Sequence, residues 1–193
     1  MIRFGFSGVF IVIALFIGCK SDYTRMVEQE LASGMIYDSL IFGMKMGQTR
    51  KDFYAVCWDL NKQKLISEGP GNLTAKYTEP EDAARDKLYR KEMLFYGIFD
   101  KMDTMRGMDM TYYYIAWSPW DKRFAVDSLV EDLKNKYETE YPGNKFIAID
   151  LDLPKYKAIS KIDGNRQILI YPKSEREVAV KIEDLRHRFK KSN

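Results

Sequence analysis

The chain has little of the chemistry on which most hydrolytic and metal sites depend. It holds one histidine, His187, set between Arg186 and Arg188 near the C-terminus. That position argues against a histidine-dependent catalytic triad and against a histidine-bearing zinc site. Asp100, Asp103 and Asp109 lack the alternating oxygen spacing and central glycine of a calcium loop. Gly69-Pro70-Gly71-Asn72 lacks the Lys-Ser/Thr pair of a phosphate loop and reads as a turn. No metal and no cofactor is therefore expected. An excess of one charge is missing too. Of 31 basic residues only Arg3 lies in the first 18, where there is no acidic residue, so the rest of the chain carries 30 against 28. Such a balance suits neither a nucleic-acid binder nor a cationic membrane coat. Long hydrophobic runs are absent as well: the stretch Phe4 to Ile17, apolar but for Ser7, falls short of the about 20 residues needed to span a bilayer.

What is present begins with that short run. One positive charge at Arg3, an apolar core, and then Gly18-Cys19 before the polar Lys20-Ser21-Asp22 describe a secretory signal with a small residue at the cut. A plain signal peptide or an N-terminal anchor would share these features. Phe16-Ile17-Gly18-Cys19, with Leu15 just upstream, resembles the lipobox of bacterial lipoprotein signals, although the first two positions depart from the usual Leu-Ala/Ser. The resemblance implies that residues 1–18 are removed and that Cys19 becomes the acylated first residue. It also implies a cell-envelope location. Lys20 and Ser21 are not the aspartate that holds such proteins at the inner membrane, so the outer membrane is expected. Cys57 would then be the sole remaining thiol, with no disulfide partner. Two or more acyl chains make attachment effectively stable, so the body needs no membrane-seeking surface for that purpose.

The 175 residues after Gly18 suit one domain, long enough to bury a core without disulfides. Residues 19–36 read as a tether or short helix, with Tyr23, Val27 and Leu31 four apart and Gly34 as a stop. Residues 37–193 read as a single α+β domain. Leu40, Phe42, Met44 and Met46 alternate as an extended lead-in. Thr49-Arg50-Lys51-Asp52 forms a capping box, and Phe53, Val56, Cys57 and Leu60 then make one apolar helix face. Leu73, Ala75 and Tyr77 alternate as a strand. Pro80 to Arg90 reads as an exposed helix or loop. Met93–Phe99 and Met108–Trp117 read as a long hairpin. Asp121 to Glu140 reads as a second amphipathic helix with a stripe of Val126, Leu129, Val130, Leu133 and Tyr137, and with Asp132 and Lys136 paired outside it. Strands follow at Phe146–Leu151, Tyr156–Ile162, Arg166–Tyr171 and Glu177–Glu183, with a tight turn at Asp163-Gly164-Asn165. Two amphipathic helices packed on antiparallel sheet follow from this order, and two α-βββ halves, sharing a sheet or stacked as tandem modules, are one arrangement of it.

Gly47-Gln48-Thr49-Arg50-Lys51-Asp52-Phe53 is similar to the helix start of the SmpA/OmlA-type lipoproteins, with Gln48 and Phe53 in place of the usual Met and Val. Those are small accessory subunits of the outer-membrane β-barrel assembly machine, built as two helices followed by a three-stranded antiparallel sheet. The Gly-x-Pro that normally ends their helix is replaced by Leu60-Asn61-Lys62. Asp38-Ser39-Leu40, Cys57-Trp58 and Ala116-Trp117-Ser118-Pro119-Trp120 resemble uncharacterised lipoproteins of Gram-negative bacteria, which implies no function.

Among candidate chemical groups, Cys57 lies mid-face on its helix with no base nearby and reads as a packed, inert thiol. Asp150 and Asp152 share one side of a strand, as a glycosidase pair or a calcium ligand set could, or as a solvated face. Tyr112-Tyr113-Tyr114 sends alternate rings to opposite faces, and Tyr113, Trp117 and Trp120 are the candidate partner-binding strip. Core packing is the competing reading of the same aromatics. The expected function is a non-enzymatic, membrane-anchored envelope lipoprotein that binds a partner protein. A carboxylate-dependent hydrolase of envelope glycans or peptides, or a glycan-binding surface lipoprotein, stands as the alternative.

Overall fold

The computed structural model describes residues 21–81, 87–150 and 157–188. The signal region, Cys19, part of the Pro80–Arg90 segment, Asp152 and the last five residues lie outside these. The fold is α+β. Four helices, α1 (Asp22–Ala32), α2 (Arg50–Lys62), α3 (Val126–Glu140) and the short α4 (Leu185–Arg188), accompany one eight-stranded antiparallel sheet. Its strands are β1 (Ile66–Glu68), β2 (Ala75–Thr78), β3 (Lys91–Phe99), β4 (Met105–Tyr114), β5 (Ile147–Ile149), β6 (Ala158–Asp163), β7 (Arg166–Pro172) and β8 (Val178–Asp184). The order β1-β2-β3-β4-β8-β7-β6-β5 makes each half a helix followed by a four-strand meander, and the halves join where β4 pairs with β8. Two α-ββββ units thus share one continuous sheet. This differs from the helix-helix-three-strand order that the SmpA/OmlA resemblance implies.

Register decides what each face carries. Tyr77, Met93, Tyr112 and Val178 pair in one row, and Ala75, Phe95, Met110, Val180 and Ile170 in the next. This apolar face receives α3, whose Leu129, Leu133 and Tyr137 are buried, and Phe53 from α2. The Tyr137 and Tyr112 hydroxyls meet at 2.9 Å beneath them. The opposite face shows Lys76, Leu94, Thr111, Ala179 and Tyr171 in one row and Glu92 beside Tyr113 in the next. Among the described residues, α1 covers only one end of that face: Val27 packs with Ile162 and Leu185.

Four expectations are corrected. Leu40 to Met46 is no strand: Ser39 bridges Lys45, Ile41–Gly43 is a single tight turn, and Phe42 (φ 55°) and Gly43 (φ 72°) turn the chain back. Leu40, Met44 and Met46 are nonetheless buried in the main core cluster. Strand β4 stops at Tyr114, so Ile115 and Trp117 do not continue its alternation. Asp132 does not pair with Lys136. It reaches the buried Lys91 (3.2 Å) and accepts from Tyr114 (3.0 Å), whereas Lys136 pairs with Glu140 (2.9 Å). On α2, Phe53 is buried, but Val56, Cys57 and Leu60 are only half-buried because a groove opens beside them.

Candidate functional site

That groove is a cavity of about 820 Å³ between α2 and the β1–β2 edge of the sheet. The capping box places α2. The Thr49 side chain accepts from the Asp52 amide, and the Asp52 carboxylate accepts from the Thr49 hydroxyl (2.7 Å) and the Thr49 amide (2.9 Å), bonds that hold the carboxyl below its usual range. Phe53 then packs edge-on against Tyr96 and Phe99, with ring centroids at 5.3 and 5.6 Å. That contact fixes the helix so that Tyr54, Cys57 and Trp58 line the groove opposite Ile66, Leu73 and Ala75. Trp58 is 64% exposed and Leu73 77% exposed, so two large apolar groups face solvent at its rims. The loop carrying Leu73 depends on Gly69, whose amide donates to the Thr74 carbonyl (2.9 Å) and where a Cβ would collide with Thr74.

One end of the groove is polar. The Tyr54 and Tyr96 hydroxyls lie 2.7 Å apart, and Arg50 donates to Tyr96 (3.1 Å) and to Asp103 (2.8 Å) while stacking 4.1 Å over Phe99. Cys57 shows no activation: burial pushes its thiol up to about 11. The other side of the groove is the free edge of β1. Among the described residues no strand pairs with that edge, and only the Ile66 carbonyl is engaged there, by Asn61 (3.1 Å). Edge strand β1 had no signal in the sequence beyond Ile66, being three residues long.

The aromatics singled out in the sequence are close in the chain but differently held. Tyr113 stands on the open sheet face and donates to Glu92 (2.6 Å); burial and that carboxylate push its hydroxyl up to about 12. Trp117 lies beneath the Arg176 guanidinium, 4.7 Å from the ring centroid. Trp120 is 90% exposed. Tyr112 and Tyr114 belong to the core.

Of the Asp150–Asp152 pair, Asp152 lies outside the described residues. Asp150 is exposed on the sheet edge. A second cavity of about 430 Å³ is lined by Glu79 and Glu140, but Glu79 faces Lys91 (3.7 Å) and Glu140 faces Lys136 (2.9 Å). Asp163 is buried with Lys161 (2.7 Å), which also donates to the Asn144 carbonyl (2.6 Å). Beside them Arg166 lies over the Tyr141 ring (4.5 Å), and its burial lowers its pKa against the pull of Asp163. These are structural charges inside the fold. No cluster of three metal-binding side chains occurs among the described residues. No family model, curated protein or solved structure matches the chain.

Proposed function

We propose that the chain is a non-enzymatic lipoprotein of the bacterial cell envelope, held at the outer membrane through Cys19, that captures an extended segment of a partner protein. The observation that carries the capture is the open apolar groove running beside the free edge of β1. A sheet edge offers unpaired amides and carbonyls to an incoming strand, and an adjacent pocket selects its alternate side chains. Here the outward groups are the amides of Ile66 and Glu68 and the Glu68 carbonyl, since Ser67 faces β2 and the Ile66 carbonyl is held by Asn61; the pocket comes from Trp58, Tyr54, Cys57 and Leu73. The partner is thus an extended segment with apolar residues at every second position. The groove lies at the far side of the sheet from α1. β1 and β6 are six strand spacings apart, about 29 Å, so the groove is presented away from the end that would be anchored.

The test is selection of displayed random peptides on the purified full-length lipoprotein in detergent. Enriched sequences should alternate apolar and polar residues, and Trp58→Ala should abolish enrichment while leaving the melting temperature within a degree or two. Truncating such an aromatic anchor typically weakens binding by about 2 kcal/mol, some thirtyfold. Enrichment that survives Trp58→Ala, or shows no period of two, would sink the reading.

A further inference from the structure

The strip of Tyr113, Trp117 and Trp120 remains, and its position relative to α1 suggests what it touches. Near the C-terminal end of α1, Glu30 accepts from the Gly164 amide in the β6–β7 turn (2.7 Å). Near the N-terminal end, Tyr23 accepts from Gln167 (3.0 Å). Seven residues of helix and three of strand both rise about 10 Å, so α1 runs along the β6–β7 hairpin, chiefly over β6, with its N-terminus away from that turn. It points to the end of the sheet where β7 gives way to β8. Pro172 pairs there with Val178, and Val178 with Tyr112. The chain just beyond Tyr112 and Tyr114 is the loop with Ile115, Trp117, Pro119 and Trp120, and Leu88 is exposed at the same end because the Ile115 amide donates to the Arg90 carbonyl (2.9 Å). Only Lys20 separates Cys19 from the helix cap Ser21, a reach of at most about 7 Å. Three strand spacings, about 14 Å, separate β6 from β4, and Gln167, level with Tyr23, stands five residues or about 17 Å before the Pro172 end, a gap that the Cys19–Ser21 segment and its acyl-glyceryl group share.

We infer that this end of the molecule rests on the lipid bilayer, with Trp120 in the headgroup region and Ile115, Trp117 and Tyr113 along the contact. The inference rests on the reading of Cys19 as an acylated anchor. An indole 90% exposed is poorly placed in water but well placed at a membrane interface, where its apolar body and its N–H are both accommodated. Lys173, which donates to Thr111 (3.2 Å), and Arg176 over Trp117 stand on the same face, placed for lipid phosphates. The acyl chains supply residence, and the tether raises the local concentration of bilayer around the loop, so even a weak insertion is populated. The aromatic loop is then a second contact point that sets the tilt of the body and directs the β1 groove away from the surface.

The experiment reconstitutes the mature lipoprotein in phosphatidylethanolamine–phosphatidylglycerol vesicles with and without brominated acyl chains. In Trp58→Phe/Trp117→Phe, leaving Trp120 as the sole indole, bromine should remove about half or more of the emission. In Trp117→Phe/Trp120→Phe, leaving Trp58, emission should be unchanged. Metabolic fatty-acid labelling of the same preparations, lost in Cys19→Ser, reports the anchor separately. Labelled protein whose Trp120 is not quenched overturns the inference and leaves the anchor standing; protection of Trp120 by a bound protein would be that outcome. Absence of label in the wild type overturns the anchor and the orientation with it.

Discussion

Phe53 and Cys57 lie four residues apart on α2, yet their surroundings differ enough to separate packing from accessibility. Phe53 is 1% exposed among Tyr96 and Phe99, so Phe53→Ala should destabilise by about 3–5 kcal/mol in urea titration. Leu60 is half-buried against the core, and Leu60→Ala should cost less, about 2 kcal/mol or below. Burial of the Cys57 thiol raises it from 9.0 to about 11, so near pH 8 its thiolate fraction is about a hundredfold lower than an unperturbed thiol's. Alkylation should be slower by that factor and slower again when a selected peptide fills the groove. Rapid labelling unaffected by peptide would contradict the placement. Glu92 offers a pH test on the open face. Burial acts to raise its pKa, but bonds from Tyr113 and Thr78 outweigh it and leave the carboxyl below 4.5. A carboxylate depressed in the folded state stabilises above its unfolded pKa and loses that contribution as pH falls through the folded value. Tyr113→Phe should therefore cost about 1 kcal/mol at pH 7, and the gap to wild type should shrink as pH falls through the depressed folded value of Glu92. A gap constant with pH would mean that the hydroxyl does not hold Glu92.

Elements with strong local signals were legible in the sequence. The Thr49–Asp52 box placed α2 because capping is decided within one helical turn, and the Asp163-Gly164-Asn165 turn placed the β6–β7 hairpin because Gly164 takes a positive φ of 54°. Elements fixed by tertiary contacts were not. Leu40 to Met46 has the period of a strand, but the chain turns back at Phe42 and Gly43 and its buried side chains join the core on the sheet, which only the assembled fold creates. β1 is too short to show a period at all, and its pairing with β2 is what makes it a strand. The groove was therefore invisible in the sequence, although half of it, the helix face with Cys57 and Trp58, was in plain view. α1 is attached by a small satellite cluster and by Glu30, whose carboxylate accepts from Gly164 and from Asn144 (2.8 Å). Glu30→Ala should weaken that attachment by about 1.5–3 kcal/mol. Amide exchange should then quicken in Asp22–Ala32 while β3 and β4 stay protected. Equal loss of protection throughout would show that α1 is part of the cooperative core.

At the scale of the whole molecule, two helix-and-meander halves meet at β4 and β8, and both main helices lie on one face of the shared sheet. The arrangement leaves one sheet face partly open and gives the molecule two unlike sides, a groove at β1 and a docked N-terminal helix over β6. The half containing α3 is secured internally by Asp163, which faces Lys161 and, at 3.7 Å, Arg166. Asp163→Ala would leave both cations buried without it and should cost about 3–5 kcal/mol in thermal or urea unfolding. The central claim, capture of an extended partner segment at the β1 edge, is tested most directly by hydrogen exchange on the full-length lipoprotein with and without a peptide selected on it. The account predicts new protection of the Ile66 and Glu68 amides, together with α2 around Trp58, and none on the open face around Thr111 and Tyr113. Protection confined to that open face, or no change along β1 at saturating peptide, would contradict it.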